Sequence, residues 1–145
     1  MNRRIVFAAL VGVLALCACA RTPDETRIRD AIASMRRAVE AHQPRDFMAW
    51  VSADFAGQDG TVDREGLANT LHIEVLRNDK VGVALGPIDV DLQGDRATVH
   101  VVVTLTGGAG GLLPERGAVY AITSGWKLDG RDWRCYNARW SNDAR

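Results

Sequence analysis

Apolar and polar positions follow three regimes along the chain. The first is an unbroken apolar run of twelve residues from Ile5 to Leu16. As a helix this run rises ~18 Å, short of the ~30 Å hydrocarbon core of a bilayer, so it reads as the apolar stretch of a signal peptide and not as a membrane span. The second regime has the period of a helix. Thr22 is placed as an N-cap, Pro23 suits the first helical position and Glu25 completes a capping box. Ile28, Ile32, Met35, Val39 and His42 then form one stripe on a long helix that ends before Pro44. Arg27, Arg29, Arg36 and Arg37 fall on the other faces, as a solvated surface would. A short second helix is expected over 44–51, with Phe47 and Trp50 or Val51 turned inward. Residues 53–56 read as a brief extended piece and 57–60 as a turn. Asp63 is the expected N-cap of a third helix reaching about Leu76, with Leu67, Leu71 and Val75 on one face.

From Lys80 the period becomes two. Val81, Val83 and Leu85 alternate, Gly86 and Pro87 interrupt the ladder, and Ile88, Val90 and Leu92 resume it. Gln93, Gly94 and Asp95 form a tight hairpin signal. Ala97, Val99, Val101, Val103 and Leu105 then give one wholly apolar face, opposite Thr98, His100, Val102, Thr104 and Thr106. A Gly-rich connection, Gly107 to Gly117, leads into Tyr120, Ile122, Ser124, Trp126 and Leu128. Asp129, Gly130 and Arg131 turn the chain into a last strand from Asp132 to about Ser141.

Composition narrows the class. A chain of 145 residues with 47% apolar and 25% charged residues is one ordinary globular domain. Eighteen basic and eighteen acidic side chains cancel, which gives no electrostatic case for nucleic acid. The three cysteines are too few for a disulfide framework.

Two of those cysteines end the apolar run. Arg3 and Arg4 precede it, and Leu16, Cys17, Ala18 and Cys19 close it. This arrangement resembles a bacterial lipobox, with Leu16 three positions before Cys19 and the small Ala18 just before it. Cys17 fits poorly, since Leu16 would take the slot of the small residue. The resemblance implies a signal peptide at 1–18, lipidation at Cys19, a tether at 19–21 and a folded domain at 22–142. Ala20 after the cysteine implies the outer membrane, facing the periplasm. The plain alternative is a secretory signal cut after Ala18 or Ala20.

A long helix, a short one, a third, and then four long antiparallel strands is an α+β order. Ser52 to Phe55, Asp63 to Leu67, Gly125 to Arg134 and Ala138 to Trp140 carry the further detail. Together they resemble the nuclear transport factor 2-like, cystatin-like fold, over nearly all of residues 22–142. The resemblance implies three N-terminal helices packed on a curved four-stranded antiparallel sheet, enclosing a cone. It also implies sheet-to-sheet homodimers, and members that are isomerases, dehydratases or cyclases beside others that only bind. Fold alone therefore decides no function.

Chemistry in such a cone needs converging polar groups. Tyr120, Ser124 and Trp126 share a strand face with Ile122, and that face is expected to point inward. Glu74 lies only ~20° around the third helix from Leu67. A carboxylate buried there would have a raised pKa and could act as a base. Glu74 and Tyr120 are thus the only candidates for proton transfer, and Tyr120, Ser124, Trp126 and Glu74 the candidate pocket residues. The competing reading of Glu74 is a rim position paired with an arginine. Asp54 suits a turn or cap better than catalysis. His42, His72 and His100 lie on separate elements without metal-ligand spacing, and Cys135 has no paired base. No metal or cofactor is implied. Gly107 to Gly111 lacks the ending of a phosphate loop, while Leu112 and Leu113 at its tip could touch a partner, a pocket mouth or the membrane. Trp126, Trp133 and Trp140 read as packing more readily than as a ligand cage. The sequence thus favours a lipid-anchored envelope domain that binds a small apolar ligand or a protein partner without catalysis; a small isomerase, dehydratase or cyclase is the alternative.

Overall fold

A computed structural model describes residues 23–108 and 117–142. The apolar leader, Cys19 and Thr22 lie outside the described residues, as do Leu112 and Leu113. Helix α1 spans Asp24–Glu40, with Asp24 and Glu25 in its first turn and Arg37 in its last, the charge order that suits the helix dipole. Ile28, Ala31, Ile32 and Ala38 are its buried residues, while Met35 and Val39 are half-buried. His42 is not the end of this stripe. It lies beyond the helix at a φ of 57°, and its Nε2 is 2.9 Å from the carbonyl oxygen of Asn78. This contact joins the corner after α1 to the end of helix α3 (Arg64–Arg77). Between them run the short helix α2 (Pro44–Met48) and a 3₁₀ turn at Gln58–Gly60. The expected cap of α3 is in place: Gly66 N–H donates to Asp63 Oδ1 at 2.7 Å.

Two of the α1 arginines are more than surface. Arg27 donates to Asp24 Oδ1 at 2.9 Å and also to the Arg131 carbonyl. Arg29 pairs with Glu25 and donates to the Ile88 carbonyl at 2.6 Å. A helix lying across a sheet brings its flanking side chains over strand-end carbonyls that need donors, and these arginines supply them.

The sheet has seven strands among the described residues, where four were expected. They are β1 (Val51–Gly57), β2 (Val62–Asp63), β3 (Lys80–Leu85), β4 (Asp89–Gln93), β5 (Arg96–Gly108), β6 (Ala118–Asp129) and β7 (Asp132–Ser141). The order is β2-β1-β7-β6-β5-β3, with β4 also paired to β5. β3 and β4 are the two halves of the interrupted strand, and both run antiparallel to β5. At the interruption Gly86 N–H still donates to the Val102 carbonyl at 2.8 Å. The larger difference is β1, which lies parallel to β7 and antiparallel to β2. It covers an edge whose backbone groups would otherwise lack partners, and buries Val51 and Phe55 in doing so.

Ile28, Val99, Trp126 and Trp133 are the large side chains sealed most completely in the core. The Trp133 indole N–H donates to Asp24 Oδ1 at 3.1 Å, tying β7 to the start of α1. Between Cys135 and Asn137 the pairing of β6 with β7 slips. Asn137 Oδ1 there accepts from Gly125 N–H at 2.8 Å. This bulge reverses the alternation of β7: Trp133 and Cys135 are buried before it, and Ala138 and Trp140 turn inward after it. The outer face of β5 carries His100, whose Nδ1 is 3.0 Å from Thr123 Oγ1, and Val102, which is 44% exposed.

Candidate functional site

The helices and the inner sheet face line a half-open cavity of about 670 Å³. That volume falls in the range of small-molecule sites, ~300–1,000 Å³. It arises because α3 packs lightly. Of Leu67, Leu71 and Val75 only Val75 is buried, and the other two are half-buried against open space. Ile73 and Leu76 on the same helix are exposed. The walls are mainly aliphatic, supplied by Ile32 and Val39 of α1, Val101 and Val103 of β5 and Ile122 of β6. Trp126 and Cys135 contribute as well.

All four sequence-nominated pocket residues line this cavity, but not in equivalent places. Tyr120, Ser124 and Trp126 stand on the inward face of β6, as their alternation implied. The Ser124 hydroxyl accepts from the Trp126 indole N–H at 2.9 Å. Glu74 is at the rim with its side chain 59% exposed, and Arg77 lies 3.9 Å away. No hydrogen bond joins Glu74 to Tyr120 among the described residues. A carboxylate that faces water and a cation is not the buried base that proton abstraction would need. Arg36, the other charged lining residue, is exposed and paired with Glu40 at 3.4 Å. The charges thus lie at the rim and the walls are apolar.

Sequence reasoning read Trp140 as packing and missed its place in this wall. Its inward orientation depends on the bulge in β7, which no periodicity reveals. Gln58 then holds it in place: its amide nitrogen donates to the Trp140 carbonyl at 3.0 Å and its amide oxygen accepts from Trp140 N–H at 3.2 Å.

Cys135 is 5% exposed, and burial pushes its thiol up to about 12. It donates weakly to the Asn137 carbonyl at 3.2 Å, as an inert buried thiol would. His42 and His72 border a shallow hollow on the helical side, and His100 lies on the outer sheet face. Among the described residues no three His, Cys, Asp or Glu side chains come together as metal ligands.

Asp54 sits away from the cavity, in a structural ion pair. Lys127 Nζ bonds both of its oxygens, at 2.8 and 2.7 Å, and the Ser52 hydroxyl donates to it as well. The Lys127 hydrogen bond, with help from Ser52, lowers the carboxyl from 3.8 to about 2. A depressed carboxylate pKa means that its contribution to stability is complete above pH 3.8 and is lost as pH falls through 2. Thermal midpoints of wild type and Asp54→Asn should therefore differ at neutral pH and converge between pH 3.8 and 2. A gap that stays constant through that window would contradict this assignment.

No family model and no curated protein sequence matches the chain. Solved structures do match in shape. A proposed scytalone dehydratase from Novosphingobium aromaticivorans superposes with a TM-score of 0.71 at 13% identity, over 81% of this chain and 82% of that one. A nuclear transport factor 2-like protein of unknown function from Pseudomonas putida gives 0.70 at 18% identity, over 81% and 85%. A nuclear transport factor 2-like protein with a cystatin-like fold, also from Novosphingobium aromaticivorans, gives 0.64 at 20% identity, over 81% and 80%. The domain therefore has the nuclear transport factor 2-like, cystatin-like fold. At these identities the likeness extends to the fold alone.

Proposed function

We propose that the domain is a binding module for a small apolar molecule, held at the bacterial cell envelope by a lipid on Cys19. The observation that carries the binding reading is the cavity itself: about 670 Å³ of space walled mainly by aliphatic and aromatic side chains, with its charged groups paired at the rim. Burial in such a site contributes ~25 cal/mol per Å² of apolar ligand surface without any catalytic group. The enzyme alternative draws on the dehydratase-type neighbour. Against it, Glu74, the candidate base among the described residues, faces solvent and Arg77. A titration with N-phenyl-1-naphthylamine, whose fluorescence rises in apolar sites, tests the reading on residues 22–145. Saturable one-to-one binding at micromolar probe is expected, and its absence would refute the proposal.

The anchoring reading rests on Leu16, Ala18 and Cys19 after the apolar run. In a bacterial host the full chain should sediment with membranes, and Cys19→Ala should leave the protein soluble in the periplasm. Equal solubility of the two would remove the lipid anchor. On this reading the tether joins the start of α1, whose second half (Ile32, Met35, Arg36 and Val39) lines the cavity. A homodimer through the outer sheet face belongs to the same proposal. The centre of that face is uncharged, with Val102 opposite Ala121 and Thr104 opposite Val119. Sedimentation of the soluble domain at micromolar concentration should give twice the chain mass, and monomer mass alone would exclude it.

A further inference from the structure

We propose that Tyr120 and Trp140 select the ligand: the cavity takes a neutral, hydrocarbon-rich molecule that carries one uncharged acceptor oxygen, such as a carbonyl. This rests on the binding reading above and names the ligand's chemistry.

Nearly every polar side chain along the wall is already engaged. Ser124 and the Trp126 indole bond each other, Cys135 donates to a carbonyl, and Thr70 and Thr106 donate to the carbonyls of Gly66 and Gly82. Arg36 and Glu74 are paired at the rim. Two groups differ. Among the described residues, neither the Tyr120 hydroxyl nor the Trp140 indole N–H has a hydrogen-bond partner, and both residues line the cavity. Among the described residues no sealed side-chain nitrogen or oxygen lacks a partner, so both groups keep accessible surface, on residues that line the cavity.

They also belong to one patch. Trp140 stands opposite Ile122, and Tyr120 is the next inward residue along β6, which makes the two diagonal neighbours at ~7–8 Å. A side chain at Gly57 would meet Trp140 at Cζ3, at 3.2 Å, so the six-membered ring abuts β1 and the indole N–H lies on the edge away from it. The indole only donates, and the hydroxyl can donate beside it. Two neutral donors in an apolar wall match an uncharged acceptor. A carboxylate would have to lose its hydration there, and Arg36, the cation in the lining, is already paired with Glu40 at the rim.

The test is displacement of N-phenyl-1-naphthylamine by three ligands of similar size: 2-ethylnaphthalene, 2-acetonaphthone and 2-naphthoate. Wild type should bind the ketone more tightly than the hydrocarbon, and the carboxylate least. Tyr120→Phe and Trp140→Phe should each lower the preference for the ketone over the hydrocarbon about five- to tenfold, the size of one net hydrogen bond, whatever the lost ring surface does to both ligands alike. Binding of probe and hydrocarbon without a ketone preference in wild type overturns this inference and leaves the binding reading standing. A ketone preference unchanged in both variants overturns the assignment to these two residues. Failure of the probe itself to bind overturns both. The wild-type comparison needs no variant to fold.

Discussion

Ile122→Trp is expected to weaken binding of the apolar probe by more than about tenfold, while the protein stays folded. Ile122 lies mid-strand on β6, between Val101 of β5 and Trp140 of β7, and faces the cavity. Enlarging a side chain in a filled core costs stability because its neighbours must move. Here the indole has about 670 Å³ of existing space to enter. The thermal midpoint should therefore hold near that of wild type while the ligand's volume is lost. Fluorescence titration and circular dichroism melts on the same samples separate the two effects. Undiminished probe binding by a folded Ile122→Trp protein would show that the probe binds elsewhere.

Trp126→Ala has the largest expected effect on stability. Trp126 is 2% exposed, packs at the centre of the core and contributes to the cavity wall. Truncating a buried tryptophan costs ~3–5 kcal/mol, a large share of the ~5–15 kcal/mol that holds a typical domain folded. For a domain of this size that corresponds to a drop of about 10–20 °C in the thermal midpoint. Ser124→Ala is the informative partner. It keeps the indole but removes the acceptor of its N–H, and should cost less, ~1–3 kcal/mol. Equal losses in the two variants would mean that the hydrogen bond, and not the packing, dominates at this position.

The helices and most strands were legible because each presents one face to a shared interior. The period of apolar residues records that face directly. Asp63 was legible for a local reason, since a capping carboxylate bonds an amide three residues away. Ala97 through Leu105 were legible as the inner side of β5, and Tyr120, Ser124 and Trp126 as that of β6, for the same period-two reason. Glu74 shows the limit of such reasoning. Its angle on α3 placed it near the cavity, and it does lie at the rim. Its place in the last turn of α3, and the presence of Arg77 three residues on, decided that the carboxylate meets water.

Sequence alone therefore determined the elements, their inward faces and an α+β order, because these depend on contacts within a few residues or on a repeated pattern. It also contained the apolar leader and Cys19 that motivate the anchor. The tertiary structure alone decided what depends on register between distant segments. β1 joined β7 because that edge needed hydrogen-bond partners from a strand some eighty residues away in sequence. The slip between Cys135 and Asn137 reversed the phase of β7 and brought Trp140 to the cavity beside Tyr120. A single extra residue in a ladder leaves the composition of a strand unchanged yet turns every later side chain to the opposite face, and it is visible only when the partner strand is in place.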